Sequence, residues 1–376
     1  MALACDVRYV SDAPETRLGL PEVLLGILPA FGGTTRMVQE VGLRTAAKVV
    51  LSGRRSSAAE AVSMGLAHAA FPSEGFRDQV EHQALRLASG HPLPKARTGS
   101  IDTFLERFPL GRRLILAEAR KRVLNRTGGH YPAPLQVLDV MERSWGLPTK
   151  DALELEARAI GGLVASQVSK NLIHLFHLRE DARKGRGIPE GTLALPRVPQ
   201  VTQRPGGGPE LLIFRVVGAS LAEARLMEEE GHERKEVDGA ARAFGLSQGP
   251  FEIARKGNKR RQSGTRWSEH DPLVEERLVL PMIKEASRIL DEEALRAGAI
   301  DLAVVLGGGF PAFRGGLLHY ADSLGLEYLL SRFHYLSIHL GPRFEPSPLL
   351  AELVREGDTF YSRFPCAFHS STAPLS

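Results

Sequence analysis

Cysteine is nearly missing from this chain: its 376 residues include two, Cys5 and Cys366, at opposite ends. So placed, they offer neither a disulfide framework nor a zinc ligand set, and they fit a reducing compartment. Long apolar runs are missing too. The longest uncharged stretches, such as residues 23–35, contain Pro or Gly and fall well short of the roughly 20 residues that span a bilayer. Asp6 and Arg8 come too early for a signal peptide, so the expected location is the cytoplasm and no membrane span is expected. There is no large excess of one charge sign. A net charge of +4 with a pI near 9.1 does not call for a nucleic-acid partner. No G-x-S-x-G, H-E-x-x-H or P-loop occurs. What remains is ordinary globular composition, 43% hydrophobic and 24% charged, at a length that fits two or three domains.

The first 75 residues or so mix strand and helix signals. VRYV (7–10) and TRLGL (16–20) are short β-type runs separated by Ser11-Asp12-Ala13-Pro14. Residues 34–41, 44–51 and 57–64 are expected to be helical, the last two stopped by Gly53 and Gly65, and LAHAAF (66–71) reads as one more strand. Residues 100–185 carry helical patterns and almost no strand signal. The stretch 151–184 places Leu153, Leu155, Ile160, Leu163, Val168, Leu172 and Leu175 near helical spacing, which predicts one long helix. Residues 186–209 hold five prolines and five glycines and read as a linker; KGNKRRQSGTR (256–266) is a second break. The segments on either side of that break resemble each other. EARLMEEEGHERKEVDGAARAFGLSQGP (223–250) aligns with EASRILDEEALRAGAIDLAVVLGGGFP (285–311) at an offset of about 62, the mark of a duplicated helical unit.

Glu22 is the first candidate for chemistry. Pro21 fixes its own φ and biases Leu20 toward extended geometry, so the carboxylate emerges where a strand gives way to a helix. Gly26, Gly32 and Gly33 follow, and glycines let backbone approach a ligand closely, which makes Gly32 and Gly33 substrate-binding candidates. A carboxylate among apolar neighbours can hold and return a proton; the competing view is a helix-start acid favoured by the dipole. LGGGFPA (306–312) matches G-x-G-x-x-A behind the apolar AVVL, but the repeat equates that region with the helical DGAARAFG, which argues against a nucleotide fingerprint. His174 and His177 share a helix face at i, i+3 without a third ligand, so packing is favoured over a metal. KGNKRR is able to bind phosphates, including those of coenzyme A, though such runs are usually solvated.

Residues 4–42 together with 49–71 resemble the second half of a crotonase (enoyl-CoA hydratase) domain. GGHYPAPLQVLDVME (128–142) and the stretch after 153 resemble the linking region of the multifunctional fatty acid oxidation α-subunit family, which joins enoyl-CoA hydratase to 3-hydroxyacyl-CoA dehydrogenase. GFPAFRGGLLHYAD (309–322) and RFEPSPLLAELVREGDTFY (343–361) resemble the C-terminal helical domains of that dehydrogenase. The resemblance implies an α/β partial crotonase-like domain followed by a mainly α remainder. Its parts would be a crotonase-like domain over 1–100, a helical linking region over 101–185, the linker 186–209, and two dehydrogenase repeats over 210–255 and 272–361. It implies action on acyl-CoA thioesters in fatty acid β-oxidation, a thiolase β-subunit as partner, and Glu22 as the second of two hydratase glutamates. The first glutamate and the oxyanion-hole amides are expected upstream of residue 1. NAD, the family's cofactor, has no expected site here, because a Pro/Gly linker occupies the place of the Rossmann domain and Phe214-Arg215 replaces the family's Asn-Arg. Enzyme, non-catalytic acyl-CoA-binding or assembly module, and gene fragment are the three expectations that follow.

Overall fold

The computed structural model describes residues 2–94, 105–195, 208–254, 272–293 and 295–366. The chain divides into two compact units, Met1–Lys170 and Asn171–Ser376. The basic run 256–266 and half of the Pro/Gly linker, residues 196–207, lie outside the described residues.

The first unit opens with a parallel pair of short strands, β1 (Tyr9–Ser11) and β2 (Ala69–Phe71), with Val10 opposite Ala70. Parallel strands need a crossover, and here it consists of α1 (Gly33–Val41), α2 (Leu43–Ser52) and α3 (Ala58–Ser63). The start of α3 is written locally: Ser57 accepts from the Glu60 amide while the Glu60 carboxylate accepts from the Ser57 amide, a reciprocal capping box. TRLGL forms no strand among the described residues; it contributes one antiparallel bridge, Leu18 to Ser56. Pro14 and Pro21 withhold amide donors on both sides of it, which keeps the ladder from growing.

Helices α4 (Phe76–Ala88), α5 (Pro109–Thr127), α6 (Pro132–Arg143) and α7 (Thr149–Ala165) complete this unit. Its core joins Leu28, Met37, Leu43, Val50, Leu116, Val137, Leu138 and Met141. The single helix expected over 151–184 is instead two, α7 and α8 (Gln167–Arg183), broken at Ser166. Ser166 is extended at ψ 146°. Its Oγ donates to the Leu163 carbonyl and accepts from the Ser169 amide at 3.2 Å, so a serine N-cap competes with helix continuation and wins.

The second unit shows the duplication in three dimensions. A 21-residue helix, α9 (Pro209–Glu229), leads into α10 (Arg234–Phe244) and the short α11 (Pro250–Ala254). Another 21-residue helix, α12 (Pro272–Glu292), leads into α13 (Ala297–Leu306) and α14 (Leu317–Leu324). AVVL therefore lies in a helix, as the repeat predicts, and not in the strand a dinucleotide loop requires. An aspartate at the same place in each copy caps the helix that follows. Asp238 accepts from the Phe251 amide, and Asp301 accepts from the Leu318 and His319 amides. A Cβ at Gly249 would lie 2.2 Å from the Asp238 carboxylate, and one at Gly316 would lie 2.3 Å from that of Asp301, so both copies need a glycine against the aspartate.

The long helices α9 and α12 run antiparallel with reciprocal charges. Arg215 on α9 reaches Glu285 and Glu292, while Arg277 on α12 reaches Glu223 and Glu230 at 2.6 and 2.7 Å. A residue pairing with the counterpart of its own partner is the signature of an isologous contact, here formed between two halves of one chain. Helices α15 (Leu326–Leu340), α16 (Pro348–Glu356) and α17 (Phe360–Arg363) close the core around Phe333, Phe344 and Phe360.

Candidate functional site

Glu22 begins a 3₁₀ turn, Glu22–Leu25, directly after Pro21. The turn packs against α2. Its Oε2 is buried and accepts no hydrogen bond. A buried polar atom without a partner costs about 1–3 kcal/mol, so stability alone does not favour a glutamate here. Three other acids of the first 94 residues are engaged: Asp12 accepts from the Ser73 amide, Glu40 pairs with buried Arg8, and Glu60 serves the capping box and Arg54.

The loop that follows is strained and apolar. Phe31 is the one non-glycine residue with positive φ among the described residues, at 57°, and its ring is 96% exposed. Its carbonyl accepts from Arg36 at 2.7 Å. Leu24, on the Glu22 turn, is 57% exposed. Backbone strain of this kind, worth about 1–3 kcal/mol, collects at binding sites.

Gly32 and Gly33 start α1, and a side chain fills the anion position there. Glu156 arrives from α7, 1% exposed, and accepts from the Gly32 amide at 2.5 Å and from the Thr35 amide and hydroxyl at 3.1 Å each. The start of a helix favours negative charge, and Glu156 supplies it. A Cβ on Gly33 would lie 2.7 Å from that of Pro29, so tight packing also fixes this glycine. Replacing Glu156 by Gln puts an amide against one of these donors and is expected to lower the stability of the first unit by about 1–3 kcal/mol in denaturant unfolding. No cue in the sequence pointed to Glu156, which lies 124 residues from Gly32.

His174 and His177 part company in the second unit. His174 is buried and stacks on His319 with ring centroids 4.4 Å apart. Its Nε2 lies 3.0 Å from the Tyr361 hydroxyl, which donates to Asp301 at 2.7 Å, and Asn171 Oδ1 lies 3.1 Å from His319 Nε2. Burial pushes the Asp301 carboxyl up to about 7, against the pull of its three donors, and pushes Asp322 up to about 6. No group of three or more His, Cys, Asp or Glu suited to a metal occurs among the described residues. No helix there is long and apolar enough to cross a membrane.

Two family matches fit this layout. Residues 1–101 match the enoyl-CoA hydratase/isomerase family, and residues 274–361 match the C-terminal domain of 3-hydroxyacyl-CoA dehydrogenase. The chain therefore joins a crotonase-type α/β segment to a dehydrogenase-type helical domain. It is homologous to fatty acid oxidation complex α subunits. It is 35% identical over 187 residues to the one from Shewanella loihica, covering 50% of this chain and 26% of that protein. It is 31% identical over 277 residues to that of Shewanella amazonensis, covering 73% and 37%, and 30% identical over 259 residues to that of Vibrio campbellii, covering 68% and 35%. The chain thus spans about a third of the length of these relatives. Among solved structures, carnitinyl-CoA hydratase from Mycobacterium avium aligns over 47% of this chain and 54% of its own at 19% identity, with a TM-score of 0.30.

Proposed function

We propose that this chain serves fatty acid β-oxidation by taking an acyl-CoA thioester at its first unit, with Glu22 as the proton-transfer group. The observation that carries this is the buried, unpartnered Oε2 of Glu22, on the same turn as exposed Leu24 and followed in the chain by strained Phe31. Such an atom is a cost that a substrate proton repays. Gly32 and Gly33 shape the loop so that backbone comes close to the ligand. The assignment keeps residues 1–100 as the crotonase-like domain, 101–185 as linking helices and 210–255 with 272–361 as the duplicated dehydrogenase domains. A thiolase subunit as partner and the cytoplasm as location belong to the same reading.

Hydration of a 2-enoyl thioester adds a water oxygen to C3 and a proton to C2. Glu22 in its acid form delivers the C2 proton, and a second group must take the proton that water gives up. A single carboxylate fits another reaction without such help. The thioester carbonyl acidifies C2–H of a 3-enoyl substrate; Glu22 removes that proton, the double bond moves to C2–C3, and Glu22 returns the proton at C4. Glu22 is the acid of this region with a buried oxygen left over, which favours the isomerisation reading for the isolated chain. Between Arg183 and Pro209 the chain has about two dozen residues, less than the roughly 30 of one βαβ unit, in keeping with a chain that does not itself bind NAD.

The test is acyl-CoA titration by calorimetry, with turnover measured on the same sample. Acyl-CoA binding is expected, with negligible hydration of crotonyl-CoA and no NADH formation from 3-hydroxyacyl-CoA. Absence of acyl-CoA binding sinks the proposal; NADH formation well above background sinks its dehydrogenase part.

A further inference from the structure

One helical stretch grips the Glu22 segment at both of its ends. Glu22 opens a 3₁₀ turn and Leu25 closes it; residues three apart in such a helix eclipse, so Leu25 lies along the axis from Glu22. Ser169 Oγ donates to the Leu25 carbonyl at 3.1 Å, across 144 positions of sequence. At the far end of the segment, Glu156 holds the Gly32 amide together with the amide and hydroxyl of Thr35. Ser169 is 0% exposed and Glu156 1%. Both contacts are therefore made away from water, where a hydrogen bond is electrostatically stronger.

The break between α7 and α8 lets both side chains reach. Glu156 and Ser169 lie 13 positions apart, which on one unbroken helix would set them about 220° apart around the axis, pointing to nearly opposite sides. The extended Ser166 interrupts that rotation, and its Oγ accepts from the Ser169 amide to start the next helix. A continuous apolar pattern is broken here, and the loop acquires a second hold. A proton-transfer carboxylate has two needs that pull apart: a fixed origin and an oxygen free to move. Pro21 before the turn and the held Leu25 carbonyl after it fix the backbone, whereas Glu22 Oε2 accepts no hydrogen bond.

We propose that Ser169 and Glu156 are positioning residues for Glu22, clamping its loop through the α7–α8 junction so that one carboxylate serves both C2 and C4 of an enoyl thioester. This rests on the reading of Glu22 as the proton-transfer group. The two carbons are two bonds apart, so the side chain swings between them from a backbone that stays still. A misplacement of about 1 Å costs about 10²-fold in rate, and the Leu25 carbonyl is where loss of one hydroxyl displaces the turn. Ser169 and Glu156 act through the backbone they hold.

The test combines two measurements on the full chain: amide hydrogen exchange by mass spectrometry over residues 21–36, and the rate of C2 deuteration of saturating butyryl-CoA in heavy water. Ser169→Ala is expected to speed amide exchange over 21–28 about tenfold and to slow C2 deuteration about tenfold. The Kd for butyryl-CoA, from calorimetry, is expected to change less than about threefold, because the clamp acts on geometry and not on binding. Ser169→Cys keeps a weak donor in nearly the same volume and is expected to fall between parent and Ser169→Ala. Glu156→Gln is expected to loosen residues 31–36 and to slow deuteration in the same sense. Val123→Ala, in the core on α5, controls for lost stability and is expected to leave both rates at the parent level. Unaltered amide exchange in Ser169→Ala, or loosened exchange with C2 deuteration unchanged, overturns the proposal; so does a Val123→Ala protein that shows the same two changes. A parent that binds butyryl-CoA without C2 deuteration sinks the reading of Glu22 and the positioning role with it, while amide exchange reports separately on the clamp.

Discussion

Replacing Arg277 by Ala is expected to cost the helical unit about 3–5 kcal/mol, because it strands Glu223 as a buried charge. Both side chains are nearly sealed from water, at 4% and 3% exposure, and the guanidinium places two nitrogens on the same carboxylate oxygen. Arg343 touches the other oxygen of Glu223 and recovers part of the loss. The duplication supplies an internal control. Arg215 makes the reciprocal contact with Glu285 and Glu292, but these side chains are more open to solvent, at 22%, 17% and 46% exposure, so Arg215→Ala is expected to cost only about 1 kcal/mol. Replacing Arg277 by Met together with Glu223 by Leu is expected to restore most of the stability, since a buried ion pair contributes little beyond an apolar pair of similar volume. Urea unfolding followed by circular dichroism checks all three variants. Equal losses at Arg277 and Arg215 contradict this account of the two-fold contact.

The second large effect is a dependence on pH. Asp301 is held at about 7 and Asp322 at about 6, both above the ordinary aspartate value of 3.8, and in both cases burial is the main cause. The folded unit therefore binds protons more tightly than the unfolded chain. Stability from these groups is fully present below the unfolded value and is lost as pH rises through the folded one. From about pH 5 to pH 8, Asp301 alone is expected to remove on the order of 2–3 kcal/mol. Asp301→Asn is expected to flatten most of that slope, at the cost of an acceptor for Leu318, His319 or the Tyr361 hydroxyl. Tyr361 and the His319 amide donate to this carboxyl, Asp322 and Cys366 act on it through space, and the His174 and His319 rings pack against Tyr361. Melting temperatures across this range that rise toward pH 8 contradict the assignment.

The elements that could be read from the sequence are those whose cause is local. Gly53 ends α2, and Ser57 with Glu60 starts α3, within a few residues of where the pattern places them. The repeat was legible for the same reason, because Glu223-Ala224 and Glu285-Ala286, then Asp238 and Asp301, recur in order. It also settled AVVL as helix where local apolar content favoured a strand. Misreadings came where two local signals compete. The apolar spacing of residues 151–184 runs straight through Ser166, and the serine cap overrides it. TRLGL has strand composition, but proline on both sides leaves it a single bridge. Contacts across long separations left no trace in the pattern. Glu156 at Gly32 and the path from His174 through Tyr361 to Asp301 join residues more than 100 positions apart, and helical periodicity carries no such information. Glu22 stood out because a proline and an apolar run isolate it, and the structure shows the same isolation as an oxygen without a partner.

That isolation gives the most direct test of the central claim. A carboxylate poised to exchange a proton at C2 of an acyl-CoA should wash deuterium into that position in heavy water, whether or not net hydration or isomerisation follows. Proton NMR of butyryl-CoA or 3-butenoyl-CoA, whose C2–H is acidified by the thioester carbonyl, is expected to show loss of the C2–H signal on incubation with the chain. Glu22→Gln is expected to slow that loss by about 10²-fold or more while leaving the melting temperature unchanged or higher, because no hydrogen bond to Oε2 is lost. Exchange at the same rate in both proteins, or none in either while acyl-CoA binds, would contradict Glu22 as the proton-transfer group.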